Sequence, residues 1–231
     1  HRTNNKPMAI DQEMHKWIEN YSIGDNLYRL RIRSMSQLIN TKIGDWNFEN
    51  EYKISIMRLK RRHPNKLHRI PQFVEMPGLD TEMRYHDIIT VKGEPEDVDK
   101  FVLKFHLGVL PLKPEKDMLK KELINQEVGM AEMIITPKSV FVGKTINLGH
   151  YLRQAGVQLL AVSRDNAPLT GKIKIKAGDA FVIRGQWENI ISLKSMYENL
   201  VISGSPEALA KNVDQLTTRS YIAMGTLALM I

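Results

Sequence analysis

The chain contains no cysteine. Disulfide staples, thiolate nucleophiles and cysteine-based metal or redox centres are therefore excluded. No glycine has a second glycine two positions away, so the Gly-x-Gly turn that brings backbone against a dinucleotide pyrophosphate is missing. Gly143-Lys144-Thr145 has the ending of a phosphate-binding loop, yet the glycine such a loop needs five positions before Gly143 is replaced by Lys138. The seven histidines form no His-x-x-x-His pair and no cluster with carboxylates at ligand spacing. Gly-x-Ser-x-Gly is also absent. Nothing here argues for an enzyme, and no metal or cofactor is expected. Long apolar runs are scarce too. Tyr221–Ile231 is uncharged, but its 11 residues fall short of the ~20 that cross a bilayer. Such a stretch reads as the start of a transmembrane helix, flanked by basic Lys211 and Arg219, or as a C-terminal core helix.

What the chain does carry is positive charge and self-similarity. Lys and Arg number 33 against 26 Asp and Glu, for a net charge of +7. That balance favours an anionic ligand, a nucleic acid or an anionic membrane surface without choosing among them. At 231 residues, 42% of them hydrophobic, the chain can bury one large core or two cores of about 80–100 residues. An internal repeat favours two. Ser36 to Ile43 matches Ser139 to Ile146 at a spacing of 103, Ile54 to Arg58 matches Leu160 to Arg164 at 106, and His86 to Gly93 matches Gly178 to Gly185 at 92. The changing offsets read as loop-length differences, with the second copy longer before its second strand and the first carrying an insertion after it.

Periodicity places the elements. Ile10, Met14, Trp17 and Ile18 have helical spacing, so residues 1–24 read as a lead-in with an amphipathic helix. The first copy shows strands near 27–32, 52–59 and 88–92, a short helix after Ser36 and a long insertion at 60–80. Glu94-Pro95-Glu96 suits a helix start, since proline loses nothing in the first turn and carboxylates favour the positive end of the dipole, giving a helix over 96–103. The second copy shows strands near 131–135, 158–163, 172–176 and 180–184, and helices near 145–154 and 188–196. The fold class is therefore α+β, with two tandem modules, each a small mixed β-sheet covered by helices.

Two features carry chemistry. Arg58, Lys60, Arg61, Arg62, Lys66 and Arg69 precede any acidic residue until Glu75. The run reads as a solvated hairpin, an anion site or a patch against phospholipid head groups. No aromatic residue interleaves 58–69, which argues against a base-stacking platform for nucleic acid. Asp87 and Asp179 each sit just before an apolar strand, a place where a carboxylate satisfies turn amides.

The Ser139-x-x-x-Gly143-Lys144-Thr145 opening, the strand ending at Arg164, and the Gly178-Asp179 strand closing on Gly185 resemble the C-terminal domain of TrkA, also called RCK-C, a regulatory module of cation channels and transporters. The first copy departs at Asn40 and His86, where the second has glycine. A tandem pair followed by a membrane-like segment is similar to the cytosolic insert of divalent anion:sodium symporter permeases, and aspartate:alanine exchanger-type transporters place such a pair likewise. The resemblance implies a lead-in at 1–24, modules at 25–110 and 128–205, a linker at 111–127 and a connector with the start of a transmembrane helix at 206–231. It implies a homodimer at the cytoplasmic face of the cell membrane, joined to transmembrane helices of the same polypeptide, with a small anionic regulatory ligand such as cyclic di-AMP or another nucleotide. From their position after the second strand of each copy, Arg58, Arg164 and Asn166 are the candidate ligand-binding residues, helped by Arg62 and Lys172. The alternative to ligand binding is that these arginines pair with local carboxylates. The alternatives in function are a stand-alone ligand-binding or oligomerising module and a basic nucleic-acid-binding protein.

Overall fold

The computed structural model describes residues 16–21, 23–61, 71–111, 123–125, 127–147, 151–152, 155–169, 171–196 and 199–203. In chain order its first part holds β1 (Leu27–Ile32), β2 (Thr41–Lys42), β3 (Ser55–Arg61), β4 (Gln72–Val74), β5 (Glu82–Met83), β6 (Ile88–Lys92), α1 (Pro95–Lys104) and β7 (Leu107–Leu110). Its second part holds β8 (Val128–Ile135), β9 (Thr145–Asn147), β10 (Tyr151–Leu152), β11 (Val157–Arg164), β12 (Ala167–Leu169), β13 (Lys172–Lys174), β14 (Ala180–Gln186), α2 (Trp187–Met196) and β15 (Leu200–Ser203). The described structure is α+β but mostly strand.

Two main sheets run β4-β3-β6-β1-β7 and β10-β11-β14-β8-β15, the latter with β12 added beside β11. Two ribbons, β2 with β5 and β13 with β9, stand apart. The expectation of mixed sheets is corrected, because the described pairings are antiparallel. The physical reason is that β6 inserts between β1 and β3, which run the same way, and β14 does the same between β8 and β11.

Alternation along the strands assigns the faces. In the first sheet Leu30, Ile32, Leu59, Ile89 and Val91 turn to one side, where Val98, Phe101 and Phe105 of α1 and its end close the core. Pro95 at the first helical turn, with Glu96 and Asp97 behind it, starts α1 as its sequence predicts. Aromatic side chains finish this core edge to face: Trp46 to Phe105 at 5.0 Å, Phe48 to Phe101 at 5.3 Å and Tyr52 to Phe105 at 5.2 Å. Each such pair adds about 0.5–1.5 kcal/mol beyond its buried area. In the second sheet Met133, Leu159, Phe181 and Ile183 pack likewise against Trp187, Ile190 and Leu193 of α2. The opposite faces of the two sheets meet around a third cluster that includes Met57, Met130, Leu160 and Val182, sealed by Trp17 and Ile18 of the helical turn at 16–20 and by Ile23.

The backbone bonds of the first part recur in the second. Ile32 N–H donates to Asp87 O and Ile135 N–H to Asp179 O, both at 2.9 Å. Asn40 N–H donates to Met83 O at 2.8 Å, and Gly143 N–H to Ile175 O at 2.9 Å. The register break between Ile56 and Arg58 has its counterpart between Leu159 and Ala161. All these positions up to β3 and β11 stand 103 apart in the sequence. The alignment of Arg58 with Arg164 is thereby corrected: the counterpart of Arg164 is Arg61, and the second part is not longer before its second strand. A repeating apolar run slides easily by a few residues in sequence, whereas a bulge and a fixed hydrogen-bond register do not. Asn40 and His86, which take the place of Gly143 and Gly178, adopt the same left-handed backbone, with φ of 60° and 68° against 84° and 89°.

Other expectations change as well. The helix expected after Ser36 is a series of turns leading to a 3-10 turn at Ile43–Asp45. The helix expected near 145–154 is replaced by β9 and β10, because β9 finds a partner in β13, Ile146 opposite Ile173. Edge strands β7 and β15 are additions that short local patterns did not reveal. Ile10 and Met14, residues 62–70 of the basic insertion, most of the linker and the whole of 204–231 lie outside the described residues.

Candidate functional site

Two arginine–aspartate clasps occupy matching places. Asp87 and Asp179 are buried at 1% and 0% exposure. Arg61 donates to both oxygens of Asp87, at 2.9 and 2.7 Å, and to the Glu82 carbonyl at 2.7 Å. Arg164 donates to both oxygens of Asp179, at 2.7 and 2.9 Å, and to the Lys174 carbonyl at 2.9 Å. In each clasp the carboxylate also accepts a turn amide, Arg84 N–H or Lys176 N–H, at 2.8 Å. Burial alone would push Asp179 upward, but the bonds from Arg164 and Lys176 N–H hold its carboxyl below the usual range. Bonding to the aspartates raises both guanidiniums, against the effect of burial. The clasps tie the ends of β3 and β11 to the turns that launch β6 and β14.

The sequence candidates therefore separate. Arg164 belongs to a clasp. Asn166 is the second central residue of the β11–β12 hairpin, whose Asp165 and Asn166 have φ of 52° and 62° and whose flanking Arg164 and Ala167 pair. That is the type I′ geometry, which asparagine adopts readily. Lys172 is exposed on β13. Arg58 is only 8% exposed; it donates to Glu75 at 3.0 and 2.7 Å and lies 4.0 Å over the Phe73 ring. Arg62 lies outside the described residues. Arg58 and Arg164 are not brought together: they occupy non-equivalent positions on different sheets.

What joins the two sheets is a residue that sequence reasoning missed. Arg184 is wholly buried in β14. It donates to the carbonyls of Leu123 at 2.7 Å and of Met57 and Glu75 at 3.0 Å, to Gln158 Oε1 at 3.2 Å, and to the Glu75 carboxylate at 3.4 Å. Gln158 in turn donates to Ile56 O at 2.9 Å. Glu75 thus stands between Arg58 of the first sheet and Arg184 of the second. A cation inside the apolar run Phe181-Val182-Ile183-Arg184 was the available signal, since a buried charge needs partners. The counterpart of Arg184, 92 residues earlier, is Lys92. Burial pushes its ammonium down to about 8, opposed by Glu94 and Asp25, and its bond to Ile23 O is long at 3.4 Å. An open hollow of about 310 Å³ adjoins the Arg184 junction, lined by Phe73, Glu75, Asn125 and Glu127. Among the described residues no group of His, Asp and Glu is placed to hold a metal ion, and no helix is long and apolar enough to cross a membrane.

Comparison with known proteins agrees with part of this picture. The TrkA-C domain family matches residues 27–106. The uncharacterized transporter YfbS of Escherichia coli (strain K12) is 24% identical over 200 residues, covering 84% of this chain and 31% of that protein. The uncharacterized transporter sll0640 of Synechocystis sp. (strain ATCC 27184 / PCC 6803 / Kazusa) is 22% identical over 195 residues, covering 80% of this chain and 30% of that protein. The chain thus spans about a third of the length of the curated relatives it matches. A solved structure of S. agalactiae BusR in complex with its busAB-promotor DNA aligns at a TM-score of 0.29 and 16% identity, over 44% of this chain and 52% of that one, too little to bear on fold or function.

Proposed function

We propose that this chain is the cytoplasmic regulatory part of a membrane transporter, built from two consecutive TrkA-C-type modules at 25–110 and 128–205. The observation that carries the reading is the TrkA-C domain at 27–106 inside a chain that aligns over 84% of its length with a transporter-named protein and fills 31% of it. The remaining two thirds of such a protein leave room for membrane helices. The recurrence of hydrogen bonds, bulge and clasp in the second part supports reading it as a further copy of the module. By the same family resemblance, the transporter is a sodium-coupled or other secondary carrier of anions, and the chain dimerises.

Regulation by a small anionic ligand, cyclic di-AMP or another nucleotide, belongs to the same proposal. A ligand shifts transport only by the difference in its affinity for the two states, and a tenfold preference supplies about 1.4 kcal/mol. The edge around Arg164, Asn166 and Lys172 is the proposed contact, where an anion would share the Arg164 guanidinium with Asp179. The Arg184 junction would then pass the change to the first sheet. No catalytic role is proposed.

The test begins with the full-length native product. It is expected in the membrane fraction, and deletion of 25–205 is expected to alter anion uptake without removing the protein from that fraction. A full-length product found in the soluble fraction would end the transporter reading. Isothermal titration with cyclic di-AMP, ATP and a dicarboxylate tests the ligand separately: micromolar binding that Lys172→Gln weakens supports it, and silence across the panel removes ligand sensing while leaving an assembly role.

A further inference from the structure

Paired residues of an antiparallel sheet present their side chains on the same face. Lys60 pairs with Ile88, Ile88 with Arg31, and Arg31 with Gly108. Lys60 and Arg31 therefore share the face turned away from the aromatic core, about 10 Å apart for strands spaced at about 4.8 Å. Arg33 joins them. A Cβ on Gly108 would lie 2.6 Å from Arg33 Nε, so the missing side chain at 108 provides the seat for this guanidinium. Among the described residues, Arg31, Arg33 and Lys60 form no ion pair with a carboxylate, in contrast to Arg58, Arg61 and Arg84.

The fold does not demand this charge. The counterparts of Arg31, Arg33 and Lys60 on the second sheet are Ile134, Thr136 and Ser163. At the same end of the first sheet the turns at 33–36 and 84–87 are joined through Ile32 and Asp87. They carry Met35 and Tyr85 at 78% and 49% exposure, where the second part has Lys138 and Ala177. Among the described residues, one hollow lies away beside Trp46, and the hollow beside Glu75 is lined by Phe73, whose ring Lys60 Nζ approaches to 5.4 Å, but by none of the three cations. The cations gather at one end of this face, Arg33 exposed and Arg31 and Lys60 half-buried, beside protruding apolar tips, which fits a planar anionic partner better than a small enclosed one.

We infer that this face docks on an anionic phospholipid surface, with Arg31, Arg33 and Lys60 among the head groups and Met35 and Tyr85 at the acyl boundary. Cations near such a surface each contribute about fivefold in affinity, and exposed apolar side chains add to the attraction.

The experiment is co-sedimentation of the purified chain with vesicles of phosphatidylcholine alone or mixed with phosphatidylglycerol, at two salt concentrations. Binding is expected only to the mixed vesicles, weakened by salt. The triple change Arg31→Gln, Arg33→Gln, Lys60→Gln is expected to lower affinity on the order of 100-fold. The equal change of net charge at exposed Lys138, Lys174 and Lys176 is expected to lower it by no more than about threefold. Met35→Asp, at a site with no packing role, tests the same face should the triple variant fail to fold, and is expected to weaken binding with charge on the cations untouched. Equal binding to neutral vesicles, or equal losses in the two triple variants, would overturn the inference. So would tight binding of soluble tripolyphosphate that the Arg31 variant loses while no vesicle is bound, an outcome that assigns the face to a soluble anion. None of these readouts depends on transport.

Discussion

Replacing Arg184 by methionine isolates the junction between the two sheets. Methionine keeps much of the length and volume but removes the fork that meets three main-chain carbonyls, Gln158 and the Glu75 carboxylate. Glu75 retains Arg58 at 2.7 Å, so its charge is not stranded. The carbonyls of Leu123 and Met57 lie in the buried interface and lose their cationic donor. Leaving one buried acceptor unmet costs about 1–3 kcal/mol, and breaking a buried charged network costs about 3–5 kcal/mol. The loss expected for Arg184→Met is thus about 3–5 kcal/mol, and it falls on the contact between sheets more than on either sheet. Urea unfolding followed by tryptophan fluorescence and by circular dichroism is the assay. The wild-type chain is expected to lose both signals together. The variant is expected to unfold at lower urea, with the two signals separating as the parts uncouple. Arg184→Lys should recover only a fraction, since one ammonium cannot span the same acceptors. A loss below about 1 kcal/mol with coincident transitions would refute the assignment of Arg184 as the coupling residue.

Lys92 predicts the opposite behaviour from its counterpart. Its ammonium is pushed from 10.5 to about 8, so between those values the folded chain binds fewer protons than the unfolded one and stability rises with pH. Between pH 7 and 9.5 the gain is about 2 kcal/mol, before the tyrosines raised by burial, such as Tyr21, reverse the trend. Urea midpoints across that range should climb in the wild type and stay level in Lys92→Met. Asp179, held below 3.8, contributes stability above that pH and loses it as acid protonates the folded carboxylate. Asp179→Asn should lower the urea midpoint at pH 7 well beyond the effect of Asp80→Asn at a fully exposed carboxylate, and should flatten the acid limb. His86 holds a left-handed backbone at φ 68°, which costs a non-glycine residue about 1–2 kcal/mol. His86→Gly is accordingly expected to raise the thermal midpoint or leave it unchanged, whereas Asn166→Val should lower it.

Much of the strand content was legible because each strand carries its own signal: alternation in β1, apolar β-branched residues in β6, β11 and β14. The start of α1 was legible for the same local reason, a proline followed by carboxylates. The segment at 145–154 was misread because its spacing suits a helix in isolation, and only β13 lying alongside makes it a strand. Arg58 and Arg164 looked equivalent because both close an apolar run, yet Arg58 faces Phe73 and Glu75 while Arg164 faces Asp179.

The amino-acid order by itself determined the α+β class, the principal strands and the placing of Asp87 and Asp179 before theirs, since these rest on patterns within short stretches of the chain. Tertiary structure alone decided which arginine meets which carboxylate, that Arg184 would bind Leu123, Met57 and Glu75 from distant segments, and that Arg31, Arg33 and Lys60 would gather at one end of the first sheet. A buried guanidinium takes whichever carbonyls the packed sheets bring within about 3 Å. That is a property of the register between sheets, which no local stretch of sequence encodes.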